Sequence, residues 1–143
     1  MSPEELLAPL PPRLVDVAEA LRALVTGTVP DAIEAVRPGW RLIGYNLPVG
    51  RRTPFFAWVW PELEHVHLGF EHGVLLDDPE RVLRGGELRL KRVRFLTFMR
   101  IAEIEPERCA GFLRQTVRLV SLSRAERLGR LIDREELERS RPA

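Results

Sequence analysis

The closely spaced histidines His65 and His67 are the residues of this chain best suited to chemistry. Side chains alternate along a β-strand, so residues two apart face the same side of a sheet. Two imidazoles on one face can share a metal ion, with a third ligand supplied by a carboxylate such as Glu71. The same rings can instead pack as amphipathic surface residues against Trp58 and Trp60. Both hypotheses, a metal site at His65, His67 and Glu71 and an aromatic surface, stay open.

The aromatic residues just before this pair form a second pattern. In a strand predicted at 54–60, alternation places Phe56, Trp58 and Trp60 on one face and the intervening residues on the other. A hairpin turn at 61–64 would pair Trp60 with His65 and Trp58 with His67. We therefore predict one aliphatic sheet face, packed on helices, and one aromatic face.

An aromatic outer face is unusual, because a sheet with helices on one side normally presents polar residues on the other. Two explanations remain open. The chain's own terminal helix or a loop covers the face, or the face binds a protein partner, which includes a second copy in a homodimer. The predicted partner-binding residues are Phe56, Trp58, Trp60, His65 and His67.

Other candidate patterns favour structural roles. Cys109 lies on the apolar stripe of a predicted helix and is expected to be a buried, inert thiol. Basic and aromatic residues alternate from Lys91 to Arg100, a pattern found in single-strand nucleic-acid binding and also in charged edge strands. The sequence contains no phosphate-binding glycine loop and no nucleophile elbow, so we expect a protein that is not an enzyme.

Composition limits the function classes. The 143 residues include 22 basic and 21 acidic side chains, and the net charge of +1 disfavours broad contact with nucleic acid or anionic membranes. A single cysteine precludes an internal disulfide. The proline-interrupted N-terminus does not resemble a signal peptide, and no apolar run could span a bilayer. We expect one cytoplasmic domain over 1–143 without membrane insertion; scarce lysines and amides are typical of GC-rich bacterial genomes.

The elements that must position the candidate residues follow from caps, breakers and periodicity. Capping signals and apolar stripes predict helices at 12–26, from Pro106 onward, and at 123–139. Strands are predicted at 40–47, 54–60, 65–70 and 93–101. Shorter helical turns are predicted at 30–36 and after the Asp77–Glu80 cap. These elements predict an α+β fold in which N- and C-terminal helices pack on one face of an antiparallel sheet.

Several segments resemble the YdhG-like family of domains of unknown function. The stretch 65–79, HVHLGFEHGVLLDDP, together with 82–85, VLRG, resembles the family's strand ending in Gly-Phe, its Asp-Pro turn and its following glycine. Upstream, 29–32 and 46–48 resemble the family's Pro-Asp-Ala and its proline-ended strand. The resemblance covers residues 13–120, and the helix after Ser123 is additional to it.

This resemblance implies a frataxin-like α+β fold and two functions. Some members of the family are described as iron chaperones, and frataxin-like domains use an acidic ridge for iron and the exposed sheet for a partner protein. The first long helix carries only Asp16 and Glu19, opposed by Arg13 and Arg22, so the partner-binding part of the analogy transfers better. The first hypothesis is therefore a small binding protein, such as an accessory subunit or chaperone. The alternative is a carrier of iron or another metal.

Overall fold

Helices flank a run of strands in the computed structural model, which describes residues 1–141. Short 3-10 turns at Gly73–Leu75 and Ile101–Glu103 lie between the larger elements. The larger elements, in chain order, are α1 (Pro3–Leu7), α2 (Pro12–Thr28), β1 (Ile33–Arg37), β2 (Leu42–Asn46), β3 (Phe55–Pro61), β4 (Val66–Phe70), β5 (Arg94–Phe98), α3 (Pro106–Val120) and α4 (Arg124–Arg139).

The five strands form one antiparallel sheet in the order β1-β2-β3-β4-β5. Each strand therefore pairs with its neighbour in the chain, including β5, which follows β4 only after the connection 71–93. The sheet with helices at both ends of the chain confirms the predicted α+β class.

The main helices begin where the capping signals predict. Pro12 and Pro106 each occupy the first turn of their helix, where a missing N–H is tolerated. Ser123 forms a complete capping box with Glu126: the Ser123 hydroxyl accepts a hydrogen bond from the Glu126 N–H, and the Glu126 carboxylate accepts one from the Ser123 N–H, both at 3.1 Å. A proline in the first turn thus marks the start of α2 and α3, and a capping box marks that of α4.

The core lies between the sheet and the pair α2 and α3, which contact each other and β3. Phe70 of β4 packs on Phe112 of α3, with ring centroids 5.8 Å apart. Each fully buried side chain of this size contributes about 1.5–3 kcal/mol through burial. Other members of this core are Leu14, Val17, Leu21, Ile43, Tyr45, Val59, Leu68 and Leu113.

α4 lies outside this core. Its Arg134 guanidinium donates to the Leu76 carbonyl at 2.7 Å and pairs with Asp77 at 3.0 Å. Its apolar residues Leu128 and Leu137 remain exposed. The terminal helix therefore docks through arginine contacts more than through an apolar stripe, and it does not contribute a buried residue to the core.

The helical turn predicted at 30–36 is wrong, because Ile33–Arg37 is strand β1. All five of its residues pair with β2, from Ile33 opposite Asn46 to Arg37 opposite Leu42. Pairing with β2 here outweighs the helix-start signal of Pro30-Asp31. These two residues instead lie in a turn that is closed by a hydrogen bond from the Ala32 N–H to the Val29 carbonyl.

The short helix predicted after Asp77 is also wrong. The Asp78 carboxylate accepts hydrogen bonds from the N–H groups of Val82 and Leu83, each at 2.9 Å. Such side-chain bonds to the backbone compete with helix formation and favour a loop. The loop ends where Arg84 pairs with Phe95 on the outer side of β5.

Candidate functional site

Two rows of side chains cross the sheet face opposite α2 and α3, which we call the open face. One row runs across four strands: Trp58 lies opposite Gly44 on one side and Gly69 on the other, and Gly69 lies opposite Phe95. In the other row, Trp60 lies opposite His67, and His67 lies opposite Thr97. The open face comprises these residues with Arg37, Leu42, Asn46 and Phe55.

The predicted pairing of the hairpin is shifted by two residues. Trp60 lies opposite His67, where His65 was expected, and Trp58 lies opposite Gly69. The difference arises because β3 continues through Pro61 and the turn occupies 62–65, closed by the Glu62 N–H on the His65 carbonyl at 2.8 Å. An even shift keeps every side chain on its face, so Trp58, Trp60 and His67 still share one side.

Phe56 is not on the open face. A bulge between β2 and β3 pairs Tyr45 with Ala57 but Asn46 with Phe55, which leaves Phe56 as the extra residue. Phe56 is fully buried in the core, and Phe55 takes the expected position beside Trp58. The rings of Phe55 and Trp58 stack at 5.8 Å with an interplanar angle of 15°. The assignment of Phe56 to the partner-binding face is therefore wrong.

Two glycines allow the stacked rings of Phe55 and Trp58 to pack directly against the sheet backbone. A Cβ at Gly69 would lie 2.0 Å from Trp58 Cε2, so the indole covers that glycine at a distance no other residue allows. A Cβ at Gly44 would lie 2.9 Å from the Phe55 ring and 2.7 Å from Arg37 Nε. The rings consequently lie flat on the strands, and Trp58 is only 9% exposed.

Two arginines cover the ends of the aromatic rows. The Arg37 guanidinium lies 4.7 Å from the centre of the Phe55 ring, and that of Arg84 lies 5.9 Å from the centre of Phe95. Both are within the range of cation–π attraction. Between them, Trp60 is the indole of the open face that solvent reaches, with 39% exposure.

Large exposed apolar residues also lie at one end of the sheet. Antiparallel topology brings the β1–β2 turn, the β3–β4 turn and the chain after β5 to the same end. Each carries large exposed apolar side chains: Trp40 in the first turn, Leu63 in the second, and Met99 and Ile101 after β5. We call this group the apolar end. The segment after β5 lies beside α2, since Arg13 of α2 donates to the Met99 carbonyl and the turn Ile101–Glu103 contacts α2.

Glu62, His65 and His67 converge at the β3–β4 turn. Glu62 Oε2 lies 2.6 Å from His65 Nε2 and 3.3 Å from His67 Nε2. On its other side, His67 Nδ1 makes a 2.9 Å hydrogen bond with Thr97 Oγ1 of β5. Burial lowers the pKa of His67, against the opposing pull of the Glu62 carboxylate. The imidazole of His67 is therefore favoured in its neutral form, the form that binds metals.

Glu71, the carboxylate predicted to complete a metal site, is not part of this group. It pairs with Arg92 at 2.5 Å, and burial raises the pKa of its carboxyl group. Within residues 1–141, Glu62 is the carboxylate that joins both histidines. Sequence alone could indicate Glu62 only if the turn at 62–65 were known, because the turn brings positions 62 and 65 together.

The remaining candidate patterns do not form a further site in the described residues 1–141. Cys109 is buried in α3, and burial raises the pKa of its thiol to about 11, as expected for an inert cysteine. The basic and aromatic residues from Lys91 to Arg100 do not form one surface, since Phe98 is buried in the core while Phe95 faces outward.

These features define an α+β domain with helices on one sheet face and an aromatic, arginine-flanked opposite face. Comparison with protein-family models, with curated proteins and with solved structures finds no match for this chain. The resemblance to the YdhG-like family thus stays a prediction. Among the described helices, none has both the length and the apolar character that crossing a bilayer requires.

Proposed function

We propose that this chain is a small non-enzymatic binding protein that uses its open face to bind a partner protein. One observation carries the proposal: the sheet face turned away from α2 and α3 bears aromatic rings with Trp60 accessible among them. Trp and Arg are the residues most enriched at the energetic centres of protein interfaces.

The chemistry of the face specifies the partner. Trp60 offers a surface for an apolar patch, while Arg37 and Arg84 at the flanks favour carboxylates. The matching surface is therefore apolar in its centre and acidic at its rim.

The rigidity of the face supports the same role. Trp58 and Phe55 are held by stacking and by the close approach of Gly69 and Gly44, so these rings lose little freedom when a partner binds. A pre-ordered surface of this kind gives more affinity for the same buried area.

The test uses site-specific photo-crosslinking. A benzoylphenylalanine residue at position 60 is expected to yield a discrete protein adduct in native cells, whereas the same group at Leu137 of α4, which is also exposed, is not. The captured protein is then purified and titrated against the chain. Trp60→Ala should weaken its binding by at least about tenfold, and Leu137→Ala should leave it unchanged.

An adduct between two copies of the chain would support the homodimer form of the proposal, provided that light scattering shows a dimer that Trp60→Ala dissociates. Identical adducts from positions 60 and 137, or an affinity unaffected by Trp60→Ala, would refute the proposal. Since Trp60 is partly exposed, the Ala variant is expected to keep its far-ultraviolet circular dichroism, which separates loss of binding from loss of folding.

A further inference from the structure

The three donor atoms at the β3–β4 turn have the chemistry of a metal site. Glu62 Oε2 lies 2.6 Å from His65 Nε2 and 3.3 Å from His67 Nε2, and one ligand atom of each of the three residues lies within 4.8 Å of those of the other two. Two imidazoles and one carboxylate are the donors that Zn²⁺ and Fe²⁺ bind in open protein sites. The backbone itself brings them together, because the turn closes between Glu62 and His65 and β4 then carries His67.

The spacing of the donors fits one ion. Bonds of about 2.0–2.1 Å to a tetrahedral centre place donor atoms roughly 3.3 Å apart. The distance from Glu62 Oε2 to His67 Nε2 is already 3.3 Å. The 2.6 Å distance to His65 Nε2 would have to open. The side chains of Glu62 and His65 are 37% and 33% exposed, so this adjustment does not disturb packed residues.

A supporting hydrogen bond orients the buried ligand. Thr97 Oγ1 binds His67 Nδ1 at 2.9 Å, which leaves Nε2 directed toward Glu62. Metal-binding histidines generally have such a partner on the other ring nitrogen, and its loss weakens metal binding. His67 is only 7% exposed, so its ring is also fixed by packing, between Trp60 at 5.4 Å and Phe95 at 4.9 Å.

We propose that Glu62, His65 and His67 bind one divalent transition-metal ion, with Zn²⁺ as the best-suited ion and a fourth coordination position open to solvent. Three protein ligands and an open position are the arrangement of zinc sites that exchange a ligand, as opposed to closed structural sites. The proposal does not depend on partner binding, because it concerns donor atoms at the turn and not the accessible surface of Trp60.

Calorimetric titration of the full chain with Zn²⁺ tests the site. We expect one equivalent to bind with a Kd of about 10 µM or tighter. Loss of a ligand in His65→Ala or Glu62→Gln should weaken binding at least about 100-fold, and Thr97→Val, which removes only the supporting hydrogen bond, about 10–100-fold. His72→Gln replaces the chain's remaining histidine, which lies outside the group, and should bind as the wild type does.

Visible absorption of bound Co²⁺ gives an independent measurement, since intense bands require a low-coordinate site with nitrogen or sulfur donors and should vanish in His65→Ala. Under anaerobic conditions Fe²⁺ should bind to the same residues more weakly than Zn²⁺. A Zn²⁺ Kd weaker than about 0.1 mM, or equal Zn²⁺ affinity in the wild type and in both ligand variants, would overturn the proposal.

Discussion

Gly69→Ala is the substitution that most directly tests the architecture of the open face. Gly69 lies in the middle of β4, opposite Trp58. An added Cβ would lie 2.0, 2.2 and 2.5 Å from three atoms of the Trp58 indole. Non-bonded carbon atoms pack at about 3.5–4.0 Å, so the ring has to move by roughly 1.5 Å or more.

The magnitude follows from two opposing effects. Displacing a packed ring costs about 1–3 kcal/mol, and here the ring cannot slide freely because Phe55 stacks on it. Replacing glycine by alanine at a permitted backbone angle recovers about 0.4–1 kcal/mol from the unfolded chain. Gly69 is not among the residues with a positive φ, so the backbone itself accepts alanine. The midpoints of these two ranges differ by about 1.3 kcal/mol, which is the expected net loss in free energy of unfolding.

Urea unfolding and near-ultraviolet circular dichroism measure the effect. Gly111→Ala in α3 is the matched control, because a Cβ there meets nothing within 4 Å, and it should stabilise the protein. In a Trp58→Leu background the penalty of Gly69→Ala should largely disappear, since the obstructing ring is gone. If the Gly69→Ala variant has the wild-type urea midpoint and an unchanged near-ultraviolet signal, the close packing of Trp58 on Gly69 is refuted.

Two further predictions concern stability. Burial and the charge of Arg127 lower the pKa of His72 from 6.5 to about 4, so the unfolded state binds more protons between these values. Through His72, the stability of the fold should then fall as pH decreases, by about 1–2 kcal/mol from pH 7 to pH 5. Urea titrations of His72→Phe should lack this contribution and keep only the loss due to the lowered pKa of His67. Arg22, 15% exposed, pairs with Glu34 at 2.7 Å, and the Tyr45 hydroxyl also donates to Glu34. Glu34→Ala should lower the free energy of unfolding by about 1–3 kcal/mol, less than for a fully buried pair because Glu19 still pairs with Arg22. In thermal unfolding, the Arg22→Met, Glu34→Leu double variant should regain much of the stability that the single variants lose. A double-variant loss equal to the sum of the two single-variant losses would contradict the pairing.

The fold class could be predicted because its signals are local. The local signals are the proline in the first turn of α2 and of α3, the capping box of α4 and the alternation in β2, β3 and β4, and each acts within a few residues of the chain. The misassigned segments depend on distant partners: β1 is a strand because β2 pairs with it, and the Asp77–Glu80 segment is a loop because the Asp78 carboxylate satisfies its backbone.

The site was predictable to the same extent. Period-two alternation correctly places Trp58, Trp60 and His67 together, and it survives an error of two residues in the hairpin register. It fails for Phe56, because a bulge inserts one residue and reverses the faces before it. It also cannot indicate Glu62, which meets the histidines through the geometry of a turn and not through any periodicity.

Partner binding by the open face and metal binding at the β3–β4 turn are physically linked, because His67 contacts Trp60. Their ring centroids lie 5.4 Å apart, and a metal ion on His67 Nε2 would fix one ring against which the accessible indole packs. If an ion changes the affinity of the partner, thermodynamic reciprocity requires the partner to change the affinity of the ion by the same factor. The sign depends on where the partner's acidic rim lies: a carboxylate placed at the open coordination position would strengthen both binding events, whereas one placed only at Arg37 and Arg84 would leave them independent.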